Sequence, residues 1–145
     1  MIKESMMALS KKIVLALIAA LGVGALQAQN ILTDTVTWSV VSAVNQTDQS
    51  QFAYACSFIT YGANAMDWSQ SNGEDVSHYT VTSVNGQWPN VAVDGITTYS
   101  VQNGSITGTV TFSSSDHVIT VHLQLLVNGK PNQDYVFSVS SVNPQ

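Results

Sequence analysis

The chain has 145 residues, a formal net charge of −5, one cysteine and no arginine. Lys3, Lys11 and Lys12 all stand near the start, so residues 29 to 145 carry eight acids against Lys130 alone, a net charge of −7. Binding to nucleic acid rests on many Lys and Arg contacts to phosphate, and this balance excludes it; anionic membrane surfaces are disfavoured for the same reason.

The first element in chain order is a secretory signal peptide over residues 1 to 28. Lys11 and Lys12 precede the apolar run Ile13 to Leu26, which gives way to small and polar residues; charge, apolar core and cleavage site follow in that order. The run is short for a membrane span. Cleavage is expected after Ala28, with Ala25 as the alternative, and no cysteine lies near enough for lipid attachment. The protein is expected to be exported, to the periplasm or the exterior. The remaining 117 residues, 29 to 145, suit one domain with a single core.

That domain shows no sustained 3.6-residue apolar period. Short alternating runs rich in Val, Thr and aromatic residues recur between Gly, Asn, Asp and Pro, which is the pattern of an all-β protein. Eight strands are predicted, at 34 to 42, 50 to 60, 64 to 70, 76 to 85, 95 to 102, 105 to 113, 117 to 127 and 134 to 142. Every connection is too short for a crossover helix, so the topology is an antiparallel meander. With so many inward aromatics it closes as a barrel, and a two-sheet sandwich is the alternative.

Cys56 lies in the second strand on the side of Phe52, Tyr54 and Phe58, where a lone thiol packs as a small apolar residue. Asp67 to Asp75 gathers carboxylates and carbonyls but lacks calcium-loop spacing. Trp88 falls in a loop, where so large a ring either plugs one end of the fold or forms part of a binding surface; Tyr61 poses the same choice. Asn45 and Asn103 match the glycosylation sequon, the second in competition with a turn.

The stretch Ile106 to Val127 yields a register. A two-residue turn at Asn103-Gly104 places Tyr99 opposite Gly108, and a four-residue loop at 113 to 116 places Phe112 opposite His117 and Val110 opposite Ile119. All apolar residues then share one face, with Gly108 covered by the Tyr99 ring and His117 at the barrel rim beside Phe112. Thr107, Thr109, Thr111, Thr120, His122 and Gln124 make up the solvent face. A transmembrane barrel would reverse this polarity, so no membrane insertion is expected.

Catalytic constellations are weak. His117 and His122 are five residues apart and point to opposite faces, which argues against a shared metal. Ser113 to His117 contains serine, acid and histidine, but triads converge from separate segments. Glu74 and Asp75 share a turn, and no phosphate-binding loop, dinucleotide fingerprint or HExxH occurs. No catalytic residue, metal or cofactor is expected.

The length, the strand order and the aromatic interior resemble the lipocalin-like, or calycin, group of small secreted bacterial β-barrels. The Gly-x-Trp that lipocalins place at the first strand stands here mid-chain, as Gly86-Gln87-Trp88, while the first strand carries Trp38 after Val36-Thr37. The resemblance implies a non-enzymatic binding protein that holds a small apolar ligand in a barrel mouth. Trp68, Tyr79, Tyr99 and His117, with Trp88, are the candidate ligand-binding residues. The competing expectation is an interaction or structural module that binds protein or glycan through Trp88 and Tyr61.

Overall fold

The computed structural model describes residues 30 to 144, and the predicted signal peptide lies outside them. Eight strands follow in chain order: β1 (Thr35–Asn45), β2 (Gln51–Tyr61), β3 (Ala65–Gln70), β4 (Asp75–Asn85), β5 (Gly95–Asn103), β6 (Ile106–Ser115), β7 (Val118–Val127) and β8 (Lys130–Pro144). One 3₁₀ turn, Ser71–Gly73, joins β3 to β4. Each strand pairs antiparallel with the next, and β8 pairs with β1, so the sheet is a closed eight-stranded barrel of lipocalin-like architecture rather than a two-sheet sandwich. Among the described residues no helix is long and apolar enough to cross a membrane.

Period-2 alternation sets which residues fill the barrel. Val36, Trp38 and Val40 point inward on β1; then a bulge between Val40 and Ser42, felt by both neighbouring strands, reverses the parity and turns Ala43 inward. A second bulge on β4, between Val81 and Ser83, does the same for Val84. Phe58, Phe112 and Phe137 form the centre: Phe112 lies 4.7 Å from Trp38 and stands at 89° to Phe58, and Phe58 lies 5.3 Å from Phe137. These are the tilted and edge-on contacts that aromatic quadrupoles prefer.

Two registers differ from those the sequence suggests, and turn chemistry explains both. Ser113 to Ser115 belong to β6, and the β6–β7 turn is only Asp116-His117, both with positive φ (51° and 64°). Asp and His tolerate that region better than most side chains, so two residues suffice where four were expected. Phe112 therefore faces Val121, and His117 sits at the exposed turn rather than beside Phe112. At the β5–β6 hairpin the turn residues are Gly104 and Ser105, which puts Val101 opposite Gly108 and Tyr99 opposite Val110. Both displacements move a partner by an even number of residues, so the inner face survives intact. The last hairpin turns on Asn128-Gly129, both at positive φ, and β8 starts at once; Pro131 is accommodated by the shift between Leu125 and Leu126.

Gly108 is not covered by Tyr99. Its side-chain position is taken by the backbone of β7: a Cβ there would lie 2.0 Å from the Gln124 carbonyl oxygen and 3.0 Å from Leu125 Cα. Backbone cannot give way as a flexible side chain can. Gly108→Val is therefore expected to destabilise by about 2 kcal/mol or more, whereas Gly129→Asn, at a positive-φ turn with open space around it, should cost under about 1 kcal/mol. Urea denaturation of the two variants checks this; an unchanged midpoint for Gly108→Val would contradict the close approach.

Candidate functional site

Strand direction divides the connections between two ends. The β2–β3 turn, the segment 86 to 94 joining β4 to β5, the β6–β7 turn and residues 30 to 34 gather at one end; the β1–β2, β3–β4, β5–β6 and β7–β8 turns gather at the other.

The first end is sealed. Ile31 is fully buried there, and the Tyr99 hydroxyl, deep in the barrel, donates to the carbonyls of Ile31 (3.3 Å) and Gly62 (3.2 Å), fastening the entering chain to the β2–β3 turn. Burial pushes the Tyr99 phenol well above its usual range, so it stays a neutral donor. Trp88 folds back from its loop, fully buried, 5.5 Å from Trp38, with its indole N–H donating to the Val93 carbonyl at 2.8 Å. Gly95 is required beneath it, since a Cβ there would lie 2.3 Å from the Trp88 ring. The loop is tied down by Asp94, whose carboxylate accepts from Asp116 N (3.0 Å), Ser114 Oγ (3.1 Å) and His117 N (3.4 Å). The backbone N–H of Asp116, then that of His117, holds the Asp94 carboxyl below its ordinary range.

The opposite end is open. A cavity of about 150 Å³ lies among five rings, Phe52, Tyr54, Trp68, Tyr135 and Phe137, and two amides, Gln70 and Gln133. Phe52 and Tyr54 stand near the start of β2, Trp68 and Gln70 close β3, and Tyr135 and Phe137 lie midway along β8, where they pair with Asn45 and Ala43 at the end of β1; all of them meet at one mouth. The Tyr54 hydroxyl donates to Gln70 Oε1. Burial raises the Tyr54 phenol, with the charges of Cys56 and Asp75 acting the same way. One buried polar atom of this lining, Gln133 Oε1, has no hydrogen-bond partner, and Trp68 Nε1 has none beyond its approach to the Cys56 thiol. Cys56 lies under the mouth, where burial pushes its thiol up to about 11 and the Trp68 indole acts in the opposite sense.

Of the five candidate residues read from the sequence, Trp68 alone lines this mouth. Tyr79 is buried in the wall opposite Met66, with its phenol raised first by burial. Trp88 and Tyr99 are sealed into the closed end, and neither offers surface to a ligand. His117 borders a shallow outer groove beside Val91 and Ile119 at that same end. Phe52, Tyr54, Tyr135 and Phe137 were legible as inward residues but not as a group, and Gln70 and Gln133 carried no signal of their own.

Away from the mouth several polar groups of the described residues are paired with one another. On the outer surface Asp67 accepts from the Tyr61 hydroxyl (2.9 Å) and meets His78 Nδ1 at 2.7 Å, and His122 Nε2 meets Asp134 at 2.7 Å. Ser113 bonds Thr120 and Ser114 bonds Asp94, so the Ser-Asp-His stretch builds a hairpin. Among the described residues no group of three or more His, Cys, Asp or Glu could hold a metal ion. No protein-family model, curated protein or solved structure matches the chain.

Trp88→Ala empties the sealed end and should destabilise by about 3 to 5 kcal/mol, read as a lowered denaturation midpoint with loss of near-ultraviolet circular dichroism. The Cys56 thiol, with its pKa raised to about 11, is thiolate to only ~0.1 % at pH 8. A disulfide reagent such as Ellman's should therefore label it slowly in the native protein, faster as the pH approaches 11, and at once in denaturant; rapid native labelling at pH 8 would contradict the burial.

Proposed function

We propose that the protein is an exported, non-enzymatic binding protein that takes one small, largely apolar ligand into the open mouth of its barrel. The asymmetry of the two ends carries this reading: Ile31, Trp88 and Tyr99 are fully buried in the barrel interior at one end, while five rings at the other stand around unfilled space. A concave, apolar lining with a few polar groups is the usual make-up of a ligand site. The volume of about 150 Å³ is below the roughly 300 to 1,000 Å³ of typical ligand pockets and close to an engineered cavity that receives benzene. The buried part of the ligand is therefore about one small ring or branched group in size.

The absence of chemistry at the mouth supports a binding role. Its lining offers phenyl, indole, phenol and amide groups rather than carboxylate, imidazole or amine, and burial raises the Tyr54 phenol. Export rests on the order of charge, apolar run and small residues in the leader. A module that binds protein or glycan through loop aromatics loses its main anchor, because Trp88 is fully buried.

Calorimetric titration with single-ring hydrocarbons such as p-xylene is expected to saturate near one site per chain. Tyr135→Ala, at the half-buried rim, should weaken binding about tenfold, while Asp94→Ala at the far end should leave it unchanged. No saturation by any small organic probe, neutral or charged, would overturn the reading.

A further inference from the structure

The mouth contains no aliphatic side chain. Leucine and valine fill much of the interior, as Leu123, Leu125, Val110 and Val121 show, yet every apolar group at the opening is aromatic. For a neutral apolar guest, area alone matters and aliphatic walls serve as well. Rings add something area does not: a face with negative electrostatic character, attractive to positive charge.

Ring orientation strengthens the point. Tyr54 and Tyr135 are inclined only 31° and 28° to Phe137, but Phe52 stands at 71° to Tyr54 and 87° to Tyr135, and Trp68 at 61° to Phe137. The rings thus stand at several inclinations around the space. The charges around this end point the same way. Asp48, Glu74, Asp75 and Asp134 stand in or beside its turns, against Lys130 alone. Gln133 Oε1, an acceptor, is buried in the lining without a partner.

No carboxylate lines the cavity itself. A primary ammonium would leave several N–H donors desolvated there, since ring faces replace water's hydrogen bonds poorly. A quaternary ammonium has no N–H to satisfy and spreads its charge over methyl groups that ring faces can contact.

We propose, resting on the reading of the open mouth as the ligand site, that this mouth is an aromatic cage for a quaternary ammonium group on a small organic cation. Trimethylammonium is compact and branched, and its size suits the cavity of about 150 Å³. Phe52, Tyr54, Trp68 and Tyr135 supply the faces, and the acidic turns raise the local concentration of the cation without ion-pairing to it.

Choline and 3,3-dimethylbutan-1-ol have nearly the same shape and differ in the charge of the central atom. Titrated calorimetrically into the full-length exported protein at 0.15 M salt, choline is expected to bind at least about tenfold more tightly than the alcohol. Tyr135→Leu should cut choline affinity about tenfold while changing that of the alcohol by less than about twofold, and Phe52→Leu, at the exposed rim, provides a second variant with little effect on folding. If the alcohol, or p-xylene, binds as tightly as choline or more so, the cation preference is overturned and the mouth remains an apolar site. If choline, the alcohol and the hydrocarbon panel all fail to saturate, the mouth reading itself falls and the cage with it.

Discussion

The ladder between β8 and β1 is the constraint on which everything else depends. It joins residues about a hundred positions apart in sequence, from Val36 against Pro144 to Asn45 against Tyr135, and it removes the last two free edges of the sheet. Once it forms, alternate residues on all eight strands are committed to a single enclosed space. The chain gains no freedom to open a second face, so the size of its inward side chains decides what that space becomes. Bulges on β1 and β4 and the close approach at Gly108 are the local adjustments that let the sheet curve enough to meet itself.

The two ends of that space are finished differently, and polar atoms record the difference. At the closed end each large side chain with a polar atom finds a partner: Trp88 in the Val93 carbonyl, Tyr99 in the carbonyls of Ile31 and Gly62 and, a layer deeper, Trp38 in the Thr60 hydroxyl at 3.2 Å. The Tyr99 and Trp38 bonds link residues 22 to 68 positions apart and the Trp88 bond closes its own loop, so the plug is held by specific geometry as well as by apolar area. At the open end Gln133 Oε1 is buried without a partner, and the Trp68 indole N–H has only the Cys56 thiol beside it. Thr97 Oγ1 is the third such atom, within β5, where it interrupts an otherwise apolar row.

Strand positions and facing were legible in the sequence because alternation is a property of each strand alone. Trp38, Tyr99, Val110 and Phe112 could be assigned inward without knowledge of any neighbour. Register was less legible because it depends on how few residues a turn can use, and that depends on whether Asp116 and His117 accept positive φ. The even displacement left the core assignment intact and moved only particular pairings, which is why Gly108 was placed on the inner face but opposite Tyr99 instead of Val101. The mouth was the least legible part. Phe52, Tyr54, Tyr135 and Phe137 carry the same alternation signal as the core residues that continue their strands, and nothing along β2 or β8 says where the interior stops being full. That boundary is set by the plug at the far end, and the plug rests on a loop tryptophan whose inward turn depends on Gly95 and Asp94.

Why the interior stops short of the mouth is a question of free energy. Unfilled space and unpartnered buried groups each destabilise a fold by about 1 kcal/mol or more, and replacing Gln133 with leucine would remove the unpartnered acceptor. A sequence that places glycine under Trp88 and fills one end so closely has the means to fill the other. Departures from local consistency that cluster at one place, while the rest of the fold agrees with itself, are the physical mark of a site under a different requirement. Here they coincide with a lining made only of rings and amides, so the requirement falls on what the mouth contacts and not on how the barrel holds together.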